Sequence, residues 1–304
     1  MKYCTECFEN FNADAWSKCP KCNFAPGRED SFLIFAPELA KDNDGFNVKQ
    51  FKSLSEHEDG HFWFENRNKI ILGLIKKYIP AKSNYLEIGC GTGFVLKHLI
   101  QSNHFKEVIG SEIYIEGLRF AKDRLQSLPA QLIQMDGRAI PYHEEFDTIG
   151  TFDCLEHITE DEDVLEKINY ALKESGHLIL TVPQHPFLWS EADEIACHKR
   201  RYTRTELRNK LKKSGFDVIF ISSFVTFLFP LMASVRIFRK FIPRNNTQSN
   251  MGDGIKVGRF TNFVFSFFMR VENLLIKLGV PLPFGGSLIA VCKKTTRNKN
   301  DDNT

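Results

Sequence analysis

Four cysteines near the start of the chain fall into two C-x-x-C pairs, Cys4 with Cys7 and Cys19 with Cys22. Two tight knuckles of this kind can offer four thiolates to one tetrahedral zinc ion; a closed shell folds a small ribbon and leaves no coordination position for a substrate. A second group runs Leu86, Glu87, Ile88, Gly89, Cys90, Gly91, Thr92, Gly93. Its alternating glycines separate an apolar run from a helix-periodic one, and without Cβ atoms they let the backbone close on a nucleotide-like ligand. Carboxylates follow at Glu112, beside Ile113, and at Asp136, beside Gly137. The first stands roughly 20 residues beyond the loop, where doubly wound sites hold the ribose hydroxyls. A third cluster is Phe152, Asp153, Cys154, Leu155, Glu156, His157. Its histidine can accept a proton near neutral pH. The last comprises Thr181 to His185, then Trp189, Asp193, His198, Arg200, Arg201 and Tyr202, in which guanidinium forks could bind an anionic or hydroxyl-rich molecule.

The elements that must carry these groups alternate in a βαβ rhythm. Short apolar runs predict strands at 84–88, 107–111, 131–135, 146–151 and 176–182, with a sixth at 216–222 and a last at 287–293. Helical spacing covers 94–100 and 70–78. The polar groups thus fall at the carboxyl ends of successive strands, where open α/β sheets bind ligands. Thr203 with Glu206 predicts a capping box opening a further helix.

A dinucleotide fingerprint places its third glycine where this chain has Phe94. With glycines at every second position behind Glu87, the loop instead resembles motif I, E-x-G-x-G-x-G, of the class I S-adenosylmethionine-dependent methyltransferases of small-molecule type, here with an N-terminal Cys4 zinc ribbon. The resemblance spans about 81–217 plus the last strand. It implies a Rossmann-like doubly wound sheet of seven strands with an antiparallel last strand, preceded by the small ribbon. It also implies that Glu87, Gly89, Cys90, Gly91, Gly93, Glu112, Ile113, Asp136, Gly137, Phe152 and Asp153 contact S-adenosylmethionine, Glu87 at its methionine end and Asp136 with Gly137 at its adenine. His157 and His198 are the expected catalytic residues; His185, Arg201 and Tyr202 are expected to bind the acceptor. Asp153, Glu156 and His157 also resemble the E-x-x-E-H cluster with which quinone-biosynthetic O-methyltransferases hold a divalent cation, although Asp replaces the first Glu.

The chain has 304 residues, 42% of them hydrophobic, enough for a substantial core. Its formal net charge of +2 gives no reason to expect nucleic acid, and the ribbon mixes Lys2, Lys18, Lys21 and Arg28 with Glu6, Glu9 and Asp14. The polar start, interrupted by acids, does not read as a signal peptide, which sets the expectation of a cytoplasmic protein, peripheral to the inner face of the membrane if it touches one. The expected organisation is a zinc ribbon at 1–28, linker and N-terminal helices at 29–80, the methyltransferase domain at 81–294 and a disordered tail at 295–304. The run His61, Phe62, Trp63, Phe64 is a candidate lid over the sulfonium or an aromatic packing face. A Phe-rich helical insertion at 224–284, with Arg236, Arg239, Lys240 and Arg244, suits either a buried cap over the acceptor or a surface lying on an anionic membrane. Residues 218–235 carry no charge, but Pro230 and the sixth strand divide them.

The reading is an O-methyltransferase acting with S-adenosylmethionine and a structural zinc on a small-molecule, lipid-linked or glycan acceptor, with the ribbon free to take a protein partner. Its rivals are an RNA methyltransferase whose ribbon binds RNA, and a non-catalytic S-adenosylmethionine-binding interaction protein.

Overall fold

The structure is a computed structural model that describes residues 1–41, 46–48, 50–239 and 257–296. The expected tail from 297 onward, residues 42–45 of the expected linker, and Lys240 and Arg244 lie outside the described residues.

Five parallel strands form the centre of the sheet: β5 (Asn84–Ile88), β6 (Glu107–Glu112), β7 (Gln131–Gln134), β8 (Phe146–Phe152) and β9 (Leu172–Pro183). Their central residues, such as Leu86, Ile133, Ile149 and Leu178 to Leu180, are buried. Strand β11 (Ser287–Lys294) lies antiparallel between β9 and β10 (Phe216–Phe224), which gives the order β10-β11-β9-β8-β5-β6-β7 and the expected seven strands with a reversed last one. Helices α2 (Phe62–Tyr78), α3 (Phe94–Gln101) and α4 (Ile115–Leu125) cover one face; α5 (Asp161–Ala171) and α7 (Arg204–Lys213) cover the other. Short α1 (Gln50–His57) precedes them, and α6 (Glu191–Ile195) sits between β9 and α7. Thr203 and Glu206 form the capping box that opens α7.

The N-terminal part departs from the expected ribbon and linker. A hairpin of β3 (Gly27–Glu29) and β4 (Phe32–Ile34) spans the boundary drawn at 28, and β4 pairs in parallel with β7, so the sheet has nine strands. This covers what would otherwise be an open edge. The ribbon itself, with β1 (Lys2–Tyr3) and β2 (Asn10–Phe11), is docked and not tethered. Trp16 donates from Nε1 to the Pro141 carbonyl at 2.8 Å and meets Phe11 and Phe35 edge-on. Cys4, Trp16 and Cys19 join the same core as Leu33, Ile133 and Tyr142. A polar run of sequence gives no signal of that packing.

Between β10 and β11 the described insertion consists of α8 (Phe229–Arg239) and α9 (Arg259–Leu278). Pro230 falls in the first turn of α8, where its missing N–H costs nothing. Along α9, Met269, Asn273 and Ile276 are buried beside α2, where Asn273 donates to Asn66. The opposite side of α9 is exposed, while Leu228, Met232 and Phe265 of the insertion line the cavity described below. Among the described residues no helix is long and apolar enough to cross a membrane.

Candidate functional site

Strand β5 ends at Gly89, and the turn to α3 takes left-handed backbone at Gly89 (φ 72°), Gly91 (φ 52°) and Gly93 (φ 73°). A Cβ at Gly89 would stand 2.5 Å from the Cys154 sulfur, and one at Gly93 3.1 Å from Ala121. At Gly91 it would meet nothing nearer than Phe51, at 3.9 Å, so that this peptide faces open space. Glu112, at the tip of β6, accepts the Gly91 N–H at 2.9 Å and the Ile113 N–H at 2.9 Å. One carboxylate thereby fixes the glycine turn and its own strand end. Burial raises its pKa despite these donors. Glu87 is buried with Tyr85 as its hydrogen-bond donor, at 3.2 Å; burial pushes its pKa up to about 8 against Tyr85 and the charge of Arg67. A cationic group in the cavity would find an acceptor there.

Glycine turn, strand tips and the loops above them enclose a cavity of about 1910 Å³, larger than a pocket for one small ligand. Glu87, Gly89, Cys90, Gly91, Glu112, Ile113, Asp136, Gly137, Phe152 and Asp153 all line it; Gly93 does not. Asp136 is paired with Arg138 at 2.8 Å, which also reaches Glu160. Asp153, at φ 52°, is ion-paired with Arg67. The Arg67 guanidinium lies 4.6 Å from the Trp63 ring centre, so the cation on that aromatic face is the chain's own. Thr92 donates to Glu58 at 2.6 Å, and Arg124 contacts both, tying the turn after α1 to the glycine loop. Glu58, which lines the cavity, and Arg124, which braces it, were not legible in the sequence. They meet at Thr92, 34 and 32 positions away from them, and no local spacing relates them.

The second polar group faces the loop from the ends of β8 and β9. Asp193 is buried and accepts from Arg201 at 2.6 Å, from Arg236 at 3.0 Å and from the Ser190 N–H at 3.0 Å; His198 Nδ1 lies 2.9 Å from it. Burial would raise its pKa, but His198, Arg201 and Arg236 together hold it well below the usual carboxylate range. Because a carboxylate only accepts, His198 carries its proton on Nδ1 and turns Nε2 toward Glu156, 3.9 Å away. Glu156 is 1% exposed, and neither of its oxygens has a hydrogen-bond partner. Burial and the neighbouring Asp153 raise its pKa well above the usual value. His157 packs edge-on to His198 at 4.8 Å and near Phe46; burial and then His198 push its pKa down to about 3. It is therefore neutral at neutral pH. Donor atoms of Glu156, His157 and His198 lie within 4.8 Å of one another. Asp153, held by Arg67, is not part of that cluster, and His198 stands in its place.

Three expected acceptor ligands are arranged differently. Tyr202 is in the core, donating its hydroxyl to Asp161 at 2.7 Å, and does not line the cavity. His185 packs between Phe187 and Phe229, also outside the lining. Arg201 does line it, but its nitrogens are taken by Asp193 and by the carbonyls of Gln184, His185 and Gly286. It builds the wall and has no fork to offer. A buried arginine and an exposed one look the same in sequence.

In the ribbon the sulfurs pair off at 3.6 Å, Cys4 with Cys22 and Cys7 with Cys19, and all four lie within 4.8 Å. Zinc–sulfur bonds of about 2.3 Å in a tetrahedron put sulfurs roughly 3.8 Å apart, so the four thiols fit one zinc ion.

Residues 56–220 match the family described as a methyltransferase domain. The chain is 28% identical over 153 residues to the biotin biosynthesis bifunctional protein BioCD of Bordetella avium, covering 49% of this chain and 33% of that one. It is 26% identical over 131 residues to the malonyl-[acyl-carrier protein] O-methyltransferase of Anoxybacillus flavithermus, covering 43% of this chain and 51% of that one. It thus spans only a third to about half of the length of these relatives. In fold it resembles a chain of the complex between the Haloferax volcanii Trm112 methyltransferase activator and a methyltransferase, with a TM-score of 0.56 and 14% identity over 83% of this chain and 96% of that one.

Proposed function

The chain belongs to the methyltransferase-domain family of S-adenosylmethionine-dependent enzymes, and from that premise we propose that it methylates an oxygen of a small-molecule, lipid-linked or glycan acceptor. The observation that carries this reading is one cavity lined both by the glycine turn with Glu87 and Glu112 and by a histidine held on a buried aspartate. S-adenosylmethionine supplies an electrophilic methyl group. Gly89 and Gly91 would admit it closely, Glu87 would hold its ammonium and Glu112 its ribose hydroxyls. Asp136 must exchange Arg138 for the adenine if it is to take the role that the motif implies. Asp193 keeps the proton of His198 on Nδ1, leaving Nε2 to take the proton of the attacking hydroxyl; an oriented base of this kind contributes ~10²–10⁴-fold. His157 and Trp63 add to the cavity wall.

Cys4, Cys7, Cys19 and Cys22 hold a structural zinc in this reading. Two of the ribbon's basic groups are neutralised, Lys2 by Glu145 and Lys21 by Glu9, which weighs against an RNA-binding ribbon. A second reading has Glu156, His157 and His198 hold a divalent cation against the acceptor; it rests on the unpartnered oxygens of Glu156.

Calorimetry with S-adenosylmethionine is the first test. Wild-type protein binds it, and the Gly91→Asp/Glu112→Ala variant, folded by its melting curve, does not. Failure of the folded wild type to bind would replace an enzyme with an interaction module. His198→Ala then keeps cofactor binding and loses transfer of labelled methyl by at least ~10²-fold; normal transfer removes the base from His198. Metal analysis of a Cys19→Ser/Cys22→Ser variant distinguishes the second reading, which requires one divalent ion to remain.

A further inference from the structure

The outward side of α9 carries Phe260, Phe263, Phe267, Val271, Leu274 and Leu278. Their intervals of 3, 4, 4, 3 and 4 residues follow the helix period, which makes one straight apolar stripe ~27 Å long. Phe260 is 81% exposed, Phe263 68% and Leu278 68%. The stripe alone is far more than the scattered single apolar residues of an ordinary surface, and Leu231, Ile237 and Phe238 of α8 are exposed as well. Packing does not account for it, because the buried side of α9 already meets α2 through other residues.

Charge identifies the occupant. Over the described residues of 225–286 the only acid is Glu272, which is buried and accepts the N–H groups of Val225 and Thr226. The exposed charges flanking the stripe are Arg259, Arg270 and Lys277, all basic. A second copy docked face to face would bring these cations together with no exposed carboxylate among the described residues of the insertion to meet them. An anionic bilayer meets both features, taking the phenyl rings into the acyl boundary and the cations at the headgroups. The lining of the cavity reaches the exposed side of α8. Leu231 and Val235 are both exposed and line the cavity, together with Leu228 and Met232.

We propose that α8 and α9 form a monotopic docking surface for an anionic lipid bilayer, with the rim at Leu231 and Val235 turned to the lipid. The surface itself is independent of the methyltransferase reading; only the orientation of the cavity as an acceptor entrance rests on it.

Flotation with phosphatidylcholine vesicles, with and without phosphatidylglycerol, tests the surface. Wild-type protein floats with the phosphatidylglycerol vesicles, less so as salt is raised. Phe263→Ser/Phe267→Ser and Arg259→Glu/Arg270→Glu each lower the bound fraction at least tenfold, while a Lys212→Glu/Lys213→Glu control on α7, across the sheet, does not. The substituted side chains are exposed, and unchanged melting and S-adenosylmethionine binding check that each variant is folded. Wild-type protein that floats with neither vesicle overturns the proposal, as does equal loss in the α7 control, which would mean unspecific charge attraction. A stable dimer that the phenylalanine pair dissociates, with no flotation, assigns the stripe to self-association. Vesicle binding without cofactor binding would sink the methyltransferase reading and leave the docking surface standing.

Discussion

Asp193 holds three cationic or proton-bearing side chains at once, and what it does can be separated from what it merely stabilises. Asp193→Asn keeps the shape but removes the charge that Arg201 and Arg236 share. Breaking a buried pair in this way costs about 3 kcal/mol, and the amide can present its nitrogen to His198 and favour the wrong tautomer. The expected outcome is a lowered melting temperature together with a fall in turnover that exceeds any fall in cofactor binding. Equal losses in both would make Asp193 purely structural. Glu272 gives a prediction in pH. Burial, opposed by the three backbone donors, lifts its pKa to about 7 from an ordinary 4.5. The folded state therefore binds a proton that the unfolded chain has already lost, and stability falls as pH rises from about 4.5 to 7. The size is of the order of 3 kcal/mol at most. Glu272→Gln removes this slope. Denaturant midpoints of both proteins between pH 5 and 8 check it, and parallel profiles would place the titration elsewhere.

At the scale of elements, the glycine turn shows how much the sequence disclosed and where it stopped. The apolar period marked β5 through β9 and the alternating glycines marked the turn, because both are local consequences of burial and backbone sterics. The three glycines are not equivalent, however, and only the packing distinguishes them. Gly89→Ala drives a Cβ into Cys154 at a positive φ and is expected to cost about 3 kcal/mol. Gly91→Ala pays only for the left-handed backbone, about 1 kcal/mol. Adding Cys154→Gly should return part of the first loss and none of the second. A coupling energy of at least ~1 kcal/mol in urea melts is expected, and strict additivity would mean that the turn moves aside. What stayed illegible follows the same logic. Tyr202 and Arg201 belong to the polar cluster that the sequence singled out, yet the side a residue faces on the segment between β9 and α7 is decided by Asp161 and Asp193, contacts of tertiary origin. The outward stripe of α9 was equally ambiguous, since an apolar stripe at helical spacing reads the same whether or not a neighbouring element covers it.

At the scale of the molecule, the ribbon and the nine-stranded sheet share one core, and this has a thermodynamic consequence. Cys4 and Cys19 are packed with Trp16, which is anchored to the Pro141 carbonyl, while Lys2 and the N-terminal amine both reach Glu145. Strand β4 continues the same chain onto the edge of β7. A ribbon held only by a linker would lose its metal without disturbing the domain that follows. On the proposal that the four cysteines hold zinc, its loss would free Trp16 from its T-shaped contact with Phe35 and loosen the hairpin on the sheet edge. Chelation, or Cys19→Ser, is therefore expected to lower the melting temperature of the whole chain in a single transition, by several degrees for a loss of ~2 kcal/mol or more in a chain of this size. The tryptophan fluorescence of Trp16 should shift at that same temperature. The discriminating measurement is calorimetry with and without chelator, with released zinc quantified in parallel. Two transitions, the second unmoved by the chelator, would mean that the contacts around Trp16 do not couple the ribbon to the sheet; one transition that falls as zinc leaves would make the metal a determinant of the catalytic domain's own stability.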